Sequence, residues 1–181
     1  MFRWLCSGWC VLVLGFRLHA QISCPCDPKE PETLKERQCL LCAQVEKKPV
    51  DTLVVFVQDT SPRKPDRWLA LPRAHSPGMH QMSALSDRER TELWREAIAK
   101  AKELWGEQWG IAYNAERLHT QCHVHVHIGR LIDGVEWGDF KVVDGPEQIP
   151  LPGPDGLWIH AVNGKLHVHV GEQVTENVLL R

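Results

Sequence analysis

Residues 119–129 read His-Thr-Gln-Cys-His-Val-His-Val-His-Ile-Gly, so that His123, His125 and His127 alternate with Val124, Val126 and Ile128. β-Branched residues at every second position favour a strand, and a strand sends alternate side chains to opposite faces. The three imidazoles then line one face, while Cys122, Val124, Val126 and Ile128 line the other, which predicts an apolar side towards the core and a buried, inert Cys122 thiol. Valine or leucine would pack such a strand better than desolvated imidazole, so chemistry explains the pattern better than packing does.

Two chemistries suit alternating histidines. Residues i and i+2 on a strand can chelate one divalent ion. Alternatively, one neutral imidazole attacks phosphorus to form a phosphoramidate, and its neighbours stabilise the equatorial oxygens of the transferring group. His125, with an imidazole on either side, is best placed to attack.

The chain around this stretch offers few other strong signals. Thr52–Gln58 is a continuous β-branched run, and Trp68–Leu71 reads as a second strand stopped by Pro72. Ser86-Asp-Arg-Glu89 has the form of a capping box, and apolar residues recur at helical spacing from Leu93 to Trp105 before Gly106. A strand is expected over Gly110–Asn114. Near the end, Asn163-Gly164 separates two strand-like runs and predicts a tight turn. That turn sets His160 opposite His167 and Trp158 opposite His169, gathering a second histidine cluster on one face. Val135 to Gly156 resists assignment.

Length and composition allow one domain: 181 residues with a net charge of −2, which does not suit a nucleic-acid binder. Arg3 followed by an apolar run to Phe16 and a small-residue site at Ala20 reads as an export signal over about 1–20, too short to span a membrane. Export makes disulfides available to Cys24, Cys26, Cys39 and Cys42, although Cys39-Leu-Leu-Cys42 has equally the spacing of half a zinc site.

The order of these elements resembles the histidine-triad superfamily of nucleotide hydrolases and transferases over about residues 39–130. The elements are strand, strand with Pro72-Arg-Ala-His75, one capped helix, Asn114 and the His-φ-His-φ-His-φ run. Cys42-Ala-Gln-Val45, Ile111-Ala-Tyr-Asn114 and Thr120-Gln-x-His123-x-His125-x-His127 look most like its exported, membrane-associated CDP-diacylglycerol pyrophosphatase branch. The resemblance implies a nucleotidyl-histidine intermediate on His125, phosphate contact by His127 and positioning by His123. It further implies that Asn114 orients His125, that Thr120 lies near the leaving group, and that His75 and Gln121 contact substrate. In zinc-bearing branches the ligands would be Cys39, Cys42, His75 and His123; in the exported branch the cysteines would form a disulfide, though the CxxC spacing here departs from that branch.

The expected fold is therefore α+β: a mainly antiparallel sheet with one long amphipathic helix, of the histidine-triad kind, plus a C-terminal β-hairpin. The expected order is signal peptide 1–20, N-terminal extension 21–38, core 39–132 and C-terminal β extension 133–181. The expected function is an exported phosphohydrolase, in the periplasm or outside the cell, acting on a nucleotide or nucleotide-lipid substrate. Its chemistry requires no cofactor, a structural zinc is allowed, and association with a membrane surface or as a homodimer follows from the resemblance. Two other readings compete: a cupin-like metal-binding β-barrel (His125 and His127 with Glu136, or His167 and His169 with Glu172), and a secreted histidine-rich metal binder. The first explains poorly the long capped helix and the Thr120-Gln121 pair, and the second has no need of the ordered Asn114, Thr120 and His75 elements.

Overall fold

A computed structural model describes residues 22–75, 81–136, 138–172 and 174–181; the signal-like segment 1–20 and the loop residues 76–80 lie outside it. Seven strands, β1 (Val54–Gln58), β2 (Trp68–Pro72), β3 (Trp109–Tyr113), β4 (Val126–Arg130), β5 (Phe140–Val143), β6 (Gly156–Val162) and β7 (Lys165–Glu172), form one sheet in the order β1-β2-β4-β3-β6-β7-β5. Every neighbouring pair is antiparallel.

This corrects the expected fold class. The molecule is mainly β, with one 19-residue helix, α2 (Asp87–Trp105), and one short helix, α1 (Leu40–Glu46). The last strands are not a hairpin appended to a smaller core: β6 pairs with β3, and β7 with β5, in the same continuous sheet. Burial explains the difference, because Leu157, Ile159, Leu166 and Val168 join the same core as Ile111, Val126 and Ile128. Strand β5 lay in the stretch that resisted assignment; its residues are largely exposed, which leaves no alternation to read. No pairing closes β1 onto β5 among the described residues, so the sheet is open rather than the barrel of the cupin-like reading.

Helix α2 covers one face, packing Leu93, Trp94, Ala97, Ile98 and Ala101 onto the core strands. The capping box forms: Ser86 Oγ accepts the Glu89 N–H, while the Glu89 carboxylate accepts the Ser86 N–H at 2.8 Å. Gly106 ends the helix at φ 58°, a conformation open to glycine at little cost. Ser86→Ala is expected to lower stability by about 1 kcal/mol, seen as a lower urea midpoint at unchanged slope.

Two elements cover the opposite face. Leu41 and Val45 of α1 cover Val55, Leu69 and Leu71 at one end. A C-terminal turn, Thr175–Val178, and Leu179 lie over Ala112 and Trp158 in the middle. Leu179 comes this close because Gly110 and Gly129 are direct partners in β3 and β4; a Cβ on Gly110 would stand 2.7 Å from the Leu179 side chain. Beyond it, the register places Trp158 opposite His169 and His160 opposite His167. The row Leu69, His127, Ala112, Trp158, His169 crosses five adjacent strands, so both histidine clusters look out from the face opposite α2.

Candidate active site

Strand β4 starts only at Val126, so His123 and His125 precede the ladder instead of sitting within it. The cause lies in β2, which reaches Pro72: proline has no N–H to offer a third strand. The Pro72 carbonyl instead accepts a hydrogen bond from His123 Nε2 at 2.8 Å. Val124, Val126 and Ile128 still enter the core, and the three histidines remain buried on the other side.

Cys122 breaks the expected pattern. It is joined to Cys24 in a disulfide, and Cys26 is joined to Cys39, so Cys42 is the free thiol among the described cysteines. Cys122 faces the N-terminal segment because the chain there is not yet in the sheet; its N–H donates to the Gln38 carbonyl at 2.8 Å. Gln121 serves the same junction: its Nε2 donates to the Arg37 carbonyl at 3.0 Å, and its Oε1 faces the Leu41 N–H at 3.4 Å. The Gln121 amide is thus tied to backbone, although the residue borders the cleft described next.

His125 and His127 open into a cleft of about 400 Å³ between α1, β1 and the C-terminal turn, with Lys64, Asn114, His119 and Thr120 on its walls. That volume is in the range of small-molecule sites. His125 Nδ1 lies 2.8 Å from the His123 carbonyl and must donate to it, which leaves Nε2 as the lone-pair nitrogen. Burial, reinforced by neighbouring His119, pushes the His125 imidazole down to about 4, so it is neutral at neutral pH.

His127 is held differently. The Asn114 amide donates towards His127 Nε2 at 3.4 Å and towards Glu176 Oε1 at 3.3 Å. Asn114 therefore orients His127 rather than His125. Glu176 Oε2 is 3.7 Å from His127 Nδ1. Glu176 also pairs with Lys64 and, at 2.6 Å, with Arg67 Nη1. Burial alone would raise the Glu176 carboxyl, but attraction to His127, Lys64 and Arg67 outweighs it and holds the group well below the usual carboxylate range. Burial pushes His127 down as well. Asp59 also lines the cleft beside Lys64 and Glu176, and Arg67 is buried against Glu176, so the charges at this end of the cleft are mixed in sign.

Glu176, Arg67, Lys64 and His119 escaped the sequence reading. His119 sits in the histidine stretch and was within reach: its Nε2 donates to the Asn114 carbonyl at 2.9 Å, and its ring lies 5.6 Å from that of His125. Glu176 gave no local signal, being 49 positions beyond His127 and brought back by the chain's last turn.

His123 and His75 leave this cleft. Their rings are 5.3 Å apart, and His75 Nδ1 meets Glu46 Oε1 at 3.0 Å, so His75 does not line the cleft. The ligand atoms of Cys42, His75 and His123 lie within 4.8 Å of one another, close enough to hold an ion. The expected four-ligand set is corrected to these three, because the Cys26 disulfide consumes Cys39. With Nε2 committed to Pro72, His123 Nδ1 is a buried lone pair without a hydrogen bond, the donor atom that a metal ligand needs. Burial pushes the Cys42 thiol up to about 11, so an ion would have to displace its proton.

The chain matches no protein-family model, and no curated protein is similar to it in sequence. Function must therefore be argued from the site.

Proposed function

We propose that this protein is an exported phosphohydrolase of the histidine-triad type, cleaving a nucleoside-diphosphate-linked substrate through an intermediate on His125. The observation that carries the reading is the His125–His123 carbonyl bond, which presents a neutral Nε2 to a cleft lined by Lys64 and Thr120. Nε2 attacks the nucleotide α-phosphorus, a P–N bond forms, and the P–O bond to the second phosphate breaks; the departing phosphate is stable as an anion. Nδ1 keeps its proton, so the phosphorylated ring is cationic, and the His123 carbonyl stabilises it. Water then attacks phosphorus, the P–N electrons return to Nε2, and one water proton passes to solvent.

Lys64 and Thr120 are donors in the cleft wall on which this chemistry can draw. Leu40 and Leu118, both at the cleft and substantially exposed, favour an apolar leaving group such as a nucleotide-linked lipid, and hence work at a membrane surface. The two disulfides favour an oxidising compartment, in line with the export signal. Zinc on Cys42, His75 and His123 would be structural in this reading: it would fix the ring and backbone of His123, and so the carbonyl that holds His125.

The test is chemical trapping. Protein mixed with CDP-diacylglycerol carrying label at the α-phosphorus and quenched at alkaline pH should yield an acid-labile adduct at His125 by peptide mapping. Turnover without any adduct on His125 would remove the proposal.

A further inference from the structure

The second histidine cluster belongs to no part of that chemistry. The Asn163-Gly164 turn pairs His160 with His167 directly across β6 and β7, bringing their ring centroids to 5.4 Å. Glu136, from the loop before β5, reaches over both: its Oε1 is 2.5 Å from His167 Nδ1 and 3.8 Å from His160 Nε2. One ligand atom from each of the three lies within 4.8 Å of the others. The rings are braced from outside the group, since Phe140 stacks on His167 at 4.4 Å and Trp158 on His160 at 5.2 Å.

One atom in this group has no structural explanation. The His160 side chain is only 7 % exposed, and its Nε2 has no hydrogen-bond partner. Leaving a buried polar nitrogen unpaired costs about 1–3 kcal/mol, and an apolar residue would fill the site without that cost. The Glu136–His167 contact satisfies its own two members and leaves His160 Nε2 directed at the carboxylate from beyond hydrogen-bond range.

We infer that Glu136, His160 and His167 form a binding site for a first-row divalent metal ion. Two imidazoles and a carboxylate are a ligand set for Zn²⁺ and its neighbours in the row, and the imidazoles disfavour Ca²⁺ and Mg²⁺, which take oxygen ligands. Zinc bonds of about 2.0–2.1 Å set tetrahedral ligand atoms roughly 3.3 Å apart, so the carboxylate would draw back from His167 and close on His160, and Glu136, with its side chain 40 % exposed, is the member free to move. The same exposure leaves the fourth position to water, so the site is an open one and not a closed structural centre. It is separate from the Cys42 group: β3, covered by Leu179, lies between β4, which follows His123, and β6, which carries His160.

Co²⁺ binding to the full chain separates the two sites, because a thiolate ligand adds a sulfur-to-metal charge-transfer band that nitrogen and oxygen ligands lack. In a Cys42→Ser background, titration should show a ligand-field spectrum without that band, saturating at about one ion per chain as three protein ligands to one ion require. His167→Ala or Glu136→Gln in that background should weaken binding by at least ~100-fold; Glu136→Gln changes only a partly exposed side chain and keeps the fold. The inference is overturned if Cys42→Ser binds no Co²⁺ at micromolar concentration, or if both further variants bind it as tightly as their parent. Neither result bears on the His125 adduct.

Discussion

His125→Ala is expected to lower kcat against a nucleoside-diphosphate-linked lipid by at least about 10³-fold while changing KM little, a loss of about 4 kcal/mol or more in transition-state stabilisation. In the proposed mechanism the residue supplies the attacking atom, so no neighbour replaces it; the other cleft groups would leave only residual binding and electrostatic catalysis. The pH profile carries a sharper expectation. Burial and His119 hold the His125 imidazole at about 4, well below an ordinary histidine. Because the neutral form is the nucleophile, kcat/KM should stay level from neutral pH down to about 5 and fall only as the pH approaches 4. The sign for stability is the same. Unfolded His125 takes up a proton near 6.5 and folded His125 near 4, so its contribution to stability is complete above 6.5 and is lost as the pH falls towards 4. An acid limb at 6.5 in kcat/KM, or turnover by His125→Ala near the parent rate, would show that a different group attacks.

What the sequence revealed and concealed follows from the range of the interactions concerned. The capped helix and the Asn-Gly turn were legible because each rests on residues only a few positions apart; the observed register of His160 against His167 is the one a two-residue turn dictates. The continuous sheet was not. Nothing local to β6 says that Gly110 will lie opposite His160, and so the C-terminal strands read as an appendage. The triad pattern was legible as alternation, but its division was not. Pro72 ends the ladder and turns His123 towards Cys42, so adjacent members of one motif face two different side-chain clusters. Cys122 shows the limit most clearly: alternation placed it in the core, yet its partner is 98 positions away at Cys24. Asn114 was found, but its target was misassigned, because the choice between His125 and His127 depends on Glu176 arriving from the chain's end.

That arrival depends on one side chain, and Arg67→Ala is expected to be the most destabilising single substitution in the cleft region. Arg67 is 2 % exposed and donates to the Glu176 carboxylate, to the Glu176 carbonyl at 2.8 Å, to the Leu180 carbonyl at 2.9 Å and to the Leu179 carbonyl. Its planar fork matches acceptors on three residues, Glu176, Leu179 and Leu180, a geometry that lysine cannot reproduce. Removing it leaves a carboxylate and three carbonyls short of donors, with Lys64 as the remaining cation on Glu176. Breaking a buried pair in this way costs about 3–5 kcal/mol, and in a chain of this size that lowers Tm by roughly 10 °C. Arg67→Lys should recover part of the loss, since it keeps the charge but has a single ammonium to share. The damage should also be local: with the tail released, Leu179 leaves the Gly110–Gly129 surface and Glu176 leaves His127. Amide exchange should therefore rise first in residues 175–181 and in β3, with α2 still protected. A uniform rise across the sheet, or a cost below about 1 kcal/mol, would mean that the tail is held by its apolar contacts and that Arg67 only decorates it.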